Sequence, residues 1–353
     1  MYQKEITRPL SILGDDGLPQ NFGWSRQPVL YYEPTMITSP VYRITGSDRY
    51  IVHSPTHLIV FEIRDNAWLG YMCISVISLR DRKRSTQSYT TFLPMGSYEM
   101  PSTSSAANGK SAVSRWRRKK THIDFINMEA GVKIIKVEVP NFGRHRSLRG
   151  ELVLMEPEYT RPELRAQSLV TSQPWKNEKR AFQITRCSPW YTVEGVIQFG
   201  SSEIIFTRGN GWGIFDWYRA VRPKADICYW ASACGMNDGK LLSFCVGYCW
   251  ADFSYGTENA FFVDGIIHKL DQITFHIPLS NWLSPWRFTS NDNRLEMAFS
   301  PHQERTDRRR LFFHNSTRRQ VCGYFSGKVL LDDETQIEFN GLTGFAERSK
   351  TRL

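Results

Sequence analysis

Residues 58–79 read LIVFEIRDNAWLGYMCISVISL, and this stretch decides the fold. Leu58-Ile59-Val60-Phe61-Glu62-Ile63 is dense in β-branched and aromatic side chains. Asp65-Asn66 interrupts it with turn formers, and Leu69 to Leu79 resumes as a second apolar run. Two such runs joined by a short polar turn predict a β-hairpin.

The same grammar continues outward. His122 to Met128, Val132 to Val139 and Leu148 to Met155 are short β-branched segments about ten residues apart. In the second half, strands are expected at 193–199, 203–206, 227–233, 241–248, 259–263, 266–277, 295–299, 311–314, 321–330 and 336–339. Asp264-Gly265 and Asp332-Asp333-Glu334 supply further hairpin turns. Helical character is confined to a short piece at Asp216 to Val221. Regular short strands, twice over, predict an all-β protein of barrels or sandwiches. Closure into barrels is favoured because long apolar strands left open invite aggregation.

A chain of 353 residues holds one large or two ordinary domains. Residues 1–50, rich in Pro and turn formers, read as an extended arm anchored by Phe22, Trp24, Tyr31 and Tyr32. The polar stretch 101–114 (PSTSSAANGKSAVS) reads as a loop. Residues 156–179, with Pro157, Pro162 and Pro174, give the best boundary. The expected domains are 1–170 and 171–353.

The apolar fraction of 41% excludes a disordered chain, and the net charge of +10 allows an anionic partner such as nucleic acid, acidic lipid or an acidic small molecule. The positive charge is clumped at Arg80–Arg84, Arg115–Lys120, Arg144–Arg149 and Arg305–Arg310. Each clump borders an expected turn and reads as a solvated loop. Only Trp116 interleaves an aromatic, so no nucleic-acid module is recognised and no specific nucleic acid is expected. The start, MYQKEITRPLSIL, carries no basic segment followed by a long apolar run, and no window approaches a membrane span. A cytoplasmic protein is expected, with at most peripheral contact with anionic lipid. The cysteines at 73, 187, 228, 234, 245, 249 and 322 are odd in number and scattered. Cys245 and Cys249, on one strand, would sit ~13 Å apart, too far for a shared metal or disulfide. They read as buried thiols, and neither metal nor cofactor is expected.

Unusual residues concentrate in 211–269, where Asp216, Arg219, Asp252, Glu258 and Lys269 lie inside aromatic and glycine-rich strings. A buried charge must be paired or hydrogen-bonded, so such strings mark a candidate site. In a helical turn, Asp216 and Arg219 would face one side and pair. That pair would be either an oriented acid or base at a pocket mouth, or a structural ion pair. Asp252, Glu258 and Asn259 flank the turn FSYGTEN. A carboxylate among Trp250, Phe253 and Tyr255 could hold a proton near neutrality and protonate an alkene or enol, or else cap turn amides. Lys269 is the candidate partner for a carboxylate, and the expectation is that Asp216, Arg219, Asp252 and Glu258 converge on one cavity. Trp212, Trp217, Trp230, Tyr248, Tyr255 and Trp286 are candidate ligand walls. No phosphate loop, Gly-x-Ser-x-Gly elbow or His-Glu-x-x-His is present.

With the strands placed, ordered motifs stand out. They are Glu5-Ile6-Thr7-x-Pro9, Gly23-Trp24-Ser25-Arg26-x-Pro28, Asp216-Trp217-x-Arg219 and Trp230-Ala231-Ser232, followed by Thr257-Glu258-Asn259, Asp264-Gly265-x-x-His268-Lys269-Leu270, Pro285-Trp286-x-Phe288-x-Ser290 and Gly344-Phe345-Ala346-Glu347. On these the chain resembles the domain of unknown function 2804 family over essentially its whole length. It departs from that pattern at Tyr218 and Ala220, at Arg222 and Lys224, and at Thr185-Arg186-Cys187, where an Asn-x-Lys element would stand. More distantly it resembles the two-barrel lipocalin-like proteins, which include carotenoid hydratases, fungal Diels–Alderases and lipid-binding survival factors. The resemblance implies two lipocalin-like (calycin-like) antiparallel β-barrels packed together, with little helix. Function does not follow from that architecture. With the candidate residues above, the leading expectation is a hydrophobic or aromatic small molecule bound in the second barrel or at the interface, with hydratase, isomerase or cyclase chemistry needing no cofactor. The alternative is a non-catalytic lipophile carrier touching anionic membranes.

Overall fold

The structure, a computed structural model, describes residues 3–94, 96–102, 111–143, 146–157, 166–311 and 314–352. Among these there is no α-helix, only three short 3-10 turns at Pro34–Met36, Val41–Arg43 and Glu129–Gly131 beside strands. Strand makes up 64% of the described residues. No helix is long and apolar enough to cross a membrane. The strands form two curled antiparallel half-barrel sheets.

The deciding hairpin forms as its pattern dictates. His57–Asp65 pairs with Leu69–Ser78 in register from His57↔Ser78 to Asp65↔Gly70. Its turn is closed by the Asp65 carboxylate, which accepts the Ala67 amide at 2.6 Å. That bond supports the left-handed backbone of Ala67 (φ 66°).

The chain divides into two compact units. One comprises Tyr31–Glu158 and Tyr191–Val221. Its sheet runs, in spatial order, Lys83–Phe92, Leu69–Ser78, His57–Asp65, Ile44–His53, Trp212–Val221, the second half of Phe182–Phe199, Arg146–Met155, Lys133–Phe142, Thr121–Asn127 and Ala112–Arg118. It curls until its end strands face each other, with the Tyr89 and Trp116 rings 5.1 Å apart and Arg118 over Tyr89. The other unit comprises Met1–Leu30, Tyr159–Trp190 and Arg222–Leu353. Its nine strands run Ile266–Lys269, Ala260–Val263, Lys240–Tyr248, Ala225–Asn237, Gln336–Arg352, His314–Leu330, Leu295–Leu311, Trp286–Ser290 and Ile273–His276. A strip of Gly23–Ser25, Leu169–Pro174 and the first half of Phe182–Phe199 completes it. Set beside a division at residue 170, residues 1–30 join the unit of the C-terminal segment and residues 191–221 join the other.

Three readings change. The stretch Asp216 to Val221 is not helical but the end of the strand Trp212–Val221. The basic clumps divide: Arg80–Arg82 form an exposed turn as expected, whereas Arg115–Arg118 end one strand and Arg305–Arg310 lie inside the strand Leu295–Leu311, with side-chain exposure alternating. There Asp307 sits between Arg305 (3.5 Å) and Arg309 (3.2 Å), two residues away on either side and hence on one face. Of the arm's anchors, Phe22, Trp24 and Tyr32 are buried, whereas Tyr31 is exposed. Residues 103–110 of the polar stretch, 158–165 of the boundary, and Arg144 and His145 of one clump lie outside the described residues.

The nine-stranded sheet encloses an aromatic core of Phe244, Phe261, Phe288, Phe299 and Phe325 around Trp286. Alternation puts Asp226, Cys228, Trp230, Cys245 and Gly247 on its other face, because Trp230↔Gly247 and Ser232↔Cys245 are register pairs while Ala231 and Val246 point into the core.

Candidate functional site

Asp216 and Arg219 do not pair. Three residues apart on a strand, they project from opposite faces, and each finds a partner on the adjacent strand Ile44–His53. Asp216 Oδ2 lies 2.8 Å from Arg49 Nη2, and Asp48 Oδ1 lies 2.6 Å from Arg219 Nη1. The Arg219 guanidinium also donates to the Pro101, Ser47 and Tyr218 carbonyls and stacks 4.6 Å over Trp217. Asp48 in turn accepts the Ser114 hydroxyl. The donors of Arg219 are thus spent on main chain and one carboxylate, the arrangement of a structural ion pair. Deeper on the same face, the Tyr50 hydroxyl and the Lys133 ammonium both donate to Asn127 Oδ1 at 2.8 Å, and Lys133 lies 4.1 Å from the Phe215 ring centre. The sequence reading missed Asp48, Arg49, Tyr50, Asn127 and Lys133. A charge inside an apolar strand (Asp48-Arg49-Tyr50-Ile51) was the available signal.

Asp252 and Glu258 belong to the other unit, so the expected gathering of four charges in one cavity does not occur within either unit. Asp252 accepts the Ser254 amide and hydroxyl through Oδ1, with Lys176 at 3.8 Å. It caps a turn whose Trp250 and Tyr255 are exposed, so the apolar cage expected around it does not form.

Glu258 is placed differently. Its Oε1 accepts from Gln183 Nε2 (3.1 Å) and the Thr185 hydroxyl (3.3 Å). Thr185 and Thr171 share a hydroxyl contact of 2.7 Å across the strip, and Gln173 ties Gln183 to the Gly256 carbonyl. Gln173, Gln183 and Thr171 are almost fully buried. Beside them the Lys269 ammonium donates to the Thr257 and Asn259 carbonyls, both at 2.7 Å, and lies 5.3 Å from the Trp24 ring centre. Lys269 is half-buried, and its ammonium is held by these carbonyls. Burial pushes its pKa down to about 7, against the smaller upward pull of Cys245, Glu258 and Asp271. Asn259 is structural: its amide bridges the Asp271 carbonyl (2.6 Å) and the Gly247 amide (2.7 Å). The arm closes the cluster, with Lys4 donating to the Tyr255 carbonyl and the Phe22 and Tyr255 rings 5.3 Å apart.

Gly247 makes room for this carboxylate. A Cβ there would stand 2.8 Å from the Tyr229 carbonyl oxygen and 3.3 Å from Glu258 Oε2. Gly247→Ala is therefore expected to cost about 1–3 kcal/mol through a shifted strand and a displaced Glu258. Urea unfolding measures it; a midpoint equal to the parent's would show that the carboxylate does not rest there.

The remaining candidate walls scatter. Trp212 and Trp217 belong to the unit of Asp216, and Trp230 is buried on the face of Gly247. Trp286 packs between Trp282 and Phe299 and donates to the Trp282 carbonyl at 3.0 Å, a core residue by its contacts. Tyr248 stacks on Tyr229 at 4.5 Å. A groove of about 410 Å³ on the first unit's sheet is lined by His122, Lys136, Glu138, Arg149, Gln198 and Glu203, among others. Its mixed charges suit no lipophile.

No functionally curated protein matches this chain. Among solved structures, CghA covers 97% of this chain and 96% of its own at 10% identity, with a TM-score of 0.53. CghA with Sch210972 covers 88% of each chain at 10% identity and a TM-score of 0.51. Kievitone hydratase from Nectria haematococca covers 87% of this chain and 88% of its own, at 7% identity and a TM-score of 0.44. The likeness to CghA establishes the two-barrel lipocalin-like fold. The family described as domain of unknown function (DUF2804) matches over residues 3–353, and the chain belongs to it.

Proposed function

We propose that the protein binds a hydrophobic or aromatic small molecule and acts on it by acid–base chemistry of the hydratase, isomerase or cyclase type, with Glu258 and Lys269 handling the proton. The observation that carries this reading is a polar-held carboxylate whose charge acts on a lysine with a pKa of about 7. A group titrating near neutrality serves as either acid or base at working pH. Trp24 offers an apolar wall at the same place, and Thr185, one of the departures from the family pattern, holds Glu258. CghA, the fold's likeness, has been solved with Sch210972, which supports a ligand-binding role for the architecture.

The test is exchange in heavy water. A panel of lipophilic conjugated alkenes, phenols and enolisable ketones is incubated with the protein in D2O, and carbon-bound deuterium is read by mass spectrometry. Catalysed deuterium uptake is expected for at least one class. Tight binding throughout without uptake would favour the carrier reading.

Lys269 makes a second prediction that needs no ligand. Its folded pKa of about 7 lies below the ordinary 10.5. Between those values the unfolded chain binds one more proton than the folded one, so stability rises with pH across that window. Below it both states are protonated, and above it both are neutral. Relative to Lys269→Met, the parent should gain up to roughly 3 kcal/mol between pH 7 and pH 10. Parallel pH profiles of the two proteins would show that the ammonium is not desolvated.

A further inference from the structure

The strand Ala225–Asn237 begins with Asp226 and Cys228, two residues apart and therefore on one face. The register of its partner strand ends at Tyr229↔Tyr248, so the next residue on each side brings Cys228 opposite Cys249. One ligand atom from each of Asp226, Cys228 and Cys249 lies within 4.8 Å of the other two. Asp226 Oδ2 and Cys228 Sγ are 2.9 Å apart, while Oδ1 is fixed by the Trp250 amide at 3.0 Å. Cys249 Sγ receives the Gln183 side-chain amide at 3.4 Å. Trp175, Ala181, Ala251 and Phe253 pack around the thiols.

We infer that Asp226, Cys228 and Cys249 form a binding site for a thiophilic divalent cation of the zinc class, with a fourth position left for water or another ligand. Three observations carry this. Tetrahedral zinc with ~2.3 Å bonds to sulfur and ~2.0 Å to oxygen holds its ligand atoms just under 4 Å apart, so a set already within 4.8 Å needs only small rotations. Two of the three ligands have a partner of the kind that orients metal ligands: a backbone amide on the free carboxylate oxygen of Asp226, and an amide N–H on the Cys249 sulfur. Two sulfurs and one carboxylate oxygen match borderline zinc, whereas an all-sulfur set would suit copper(I) better. Cys228 is partly exposed, which leaves an approach from solvent. This inference stands apart from the acid–base reading above. The two meet at Gln183, whose amide nitrogen is within hydrogen-bond distance of both Cys249 Sγ and Glu258 Oε1.

The test uses the full chain purified under reducing conditions, stripped with chelator and titrated with zinc or cobalt(II) alone. One equivalent of zinc should be retained after desalting, and cobalt should give a thiolate-to-metal charge-transfer band with tetrahedral d–d absorption. Cys228→Ser, Cys249→Ser and Asp226→Asn should each lose stoichiometric retention, whereas Cys322→Ala, a buried cysteine elsewhere, should keep it. Gln183→Leu should weaken zinc about tenfold, the lower range for an outer partner. Because the parent's metal content and cobalt spectrum need no variant, misfolding of a mutant leaves the test intact. Octahedral cobalt without charge transfer, no retained zinc, or a Cys228–Cys249 disulfide under reducing conditions would overturn the inference.

Discussion

Arg219→Met is expected to destabilise the protein by about 3–5 kcal/mol, the cost of leaving a buried charge without its partner. Asp48 and Arg219 are 1% and 4% exposed, so the charge left behind would be cut off from water. The guanidinium joins four places in one unit: Asp48, the carbonyls of Ser47 and Tyr218, and the Pro101 carbonyl on a separate segment. Gly46, directly opposite Arg219 in the ladder, leaves space for it, since a Cβ there would stand 3.0 Å from Arg219 Cδ. Asp48→Leu combined with Arg219→Met should recover a large part of the loss, because an apolar pair of similar volume avoids desolvation altogether. Urea unfolding of the four proteins closes the cycle. A cost below about 1 kcal/mol for either single change would place the pair in the regime of solvated surface bridges. The idea of a structural lock would then fail.

The hairpin at 58–79 was legible because its alternation and its turn are both local. Asp216 and Arg219 were read on the wrong period: a spacing of three means one face in a helix and two in a strand. Arg305 to Arg310 reads as loop in the sequence because both faces of that strand are polar, which leaves no apolar alternation to find. Glu258 and Lys269 could be picked from sequence as charges inside apolar strings. Their partners Gln183, Thr171 and Gln173 could not, since they come from a strip some 75 residues upstream and nothing local encodes that pairing. Thr185 was visible only as a departure from the family pattern. The cysteines teach the same point. The spacing of Cys245 and Cys249 along one strand hid the pair that counts, Cys228 across from Cys249.

Glu258→Gln separates the chemistry from the fold. The amide keeps the shape of the side chain and an oxygen that can accept from Gln183 and Thr185, so melting temperature should stay within a few degrees of the parent's. What goes is a group able to give and take a proton, and deuterium uptake should fall about 10²–10⁴-fold, the usual span for a general acid or base. A carboxylate with only a packing role would not produce that split. The variant also carries a readout that needs no substrate. The Glu258 charge raises the Lys269 pKa, so removing it should drive that pKa below its present value of about 7. Lys269 would then be neutral, and nucleophilic, over a wider pH range. Its acylation by a small anhydride, followed by peptide mapping, should gain rate below pH 7 in Glu258→Gln relative to the parent. An unchanged acylation profile would mean that the two groups do not sense each other. If the profile shifts and deuterium uptake persists at the parent's rate, Lys269 and Glu258 are coupled but the proton moves through another residue.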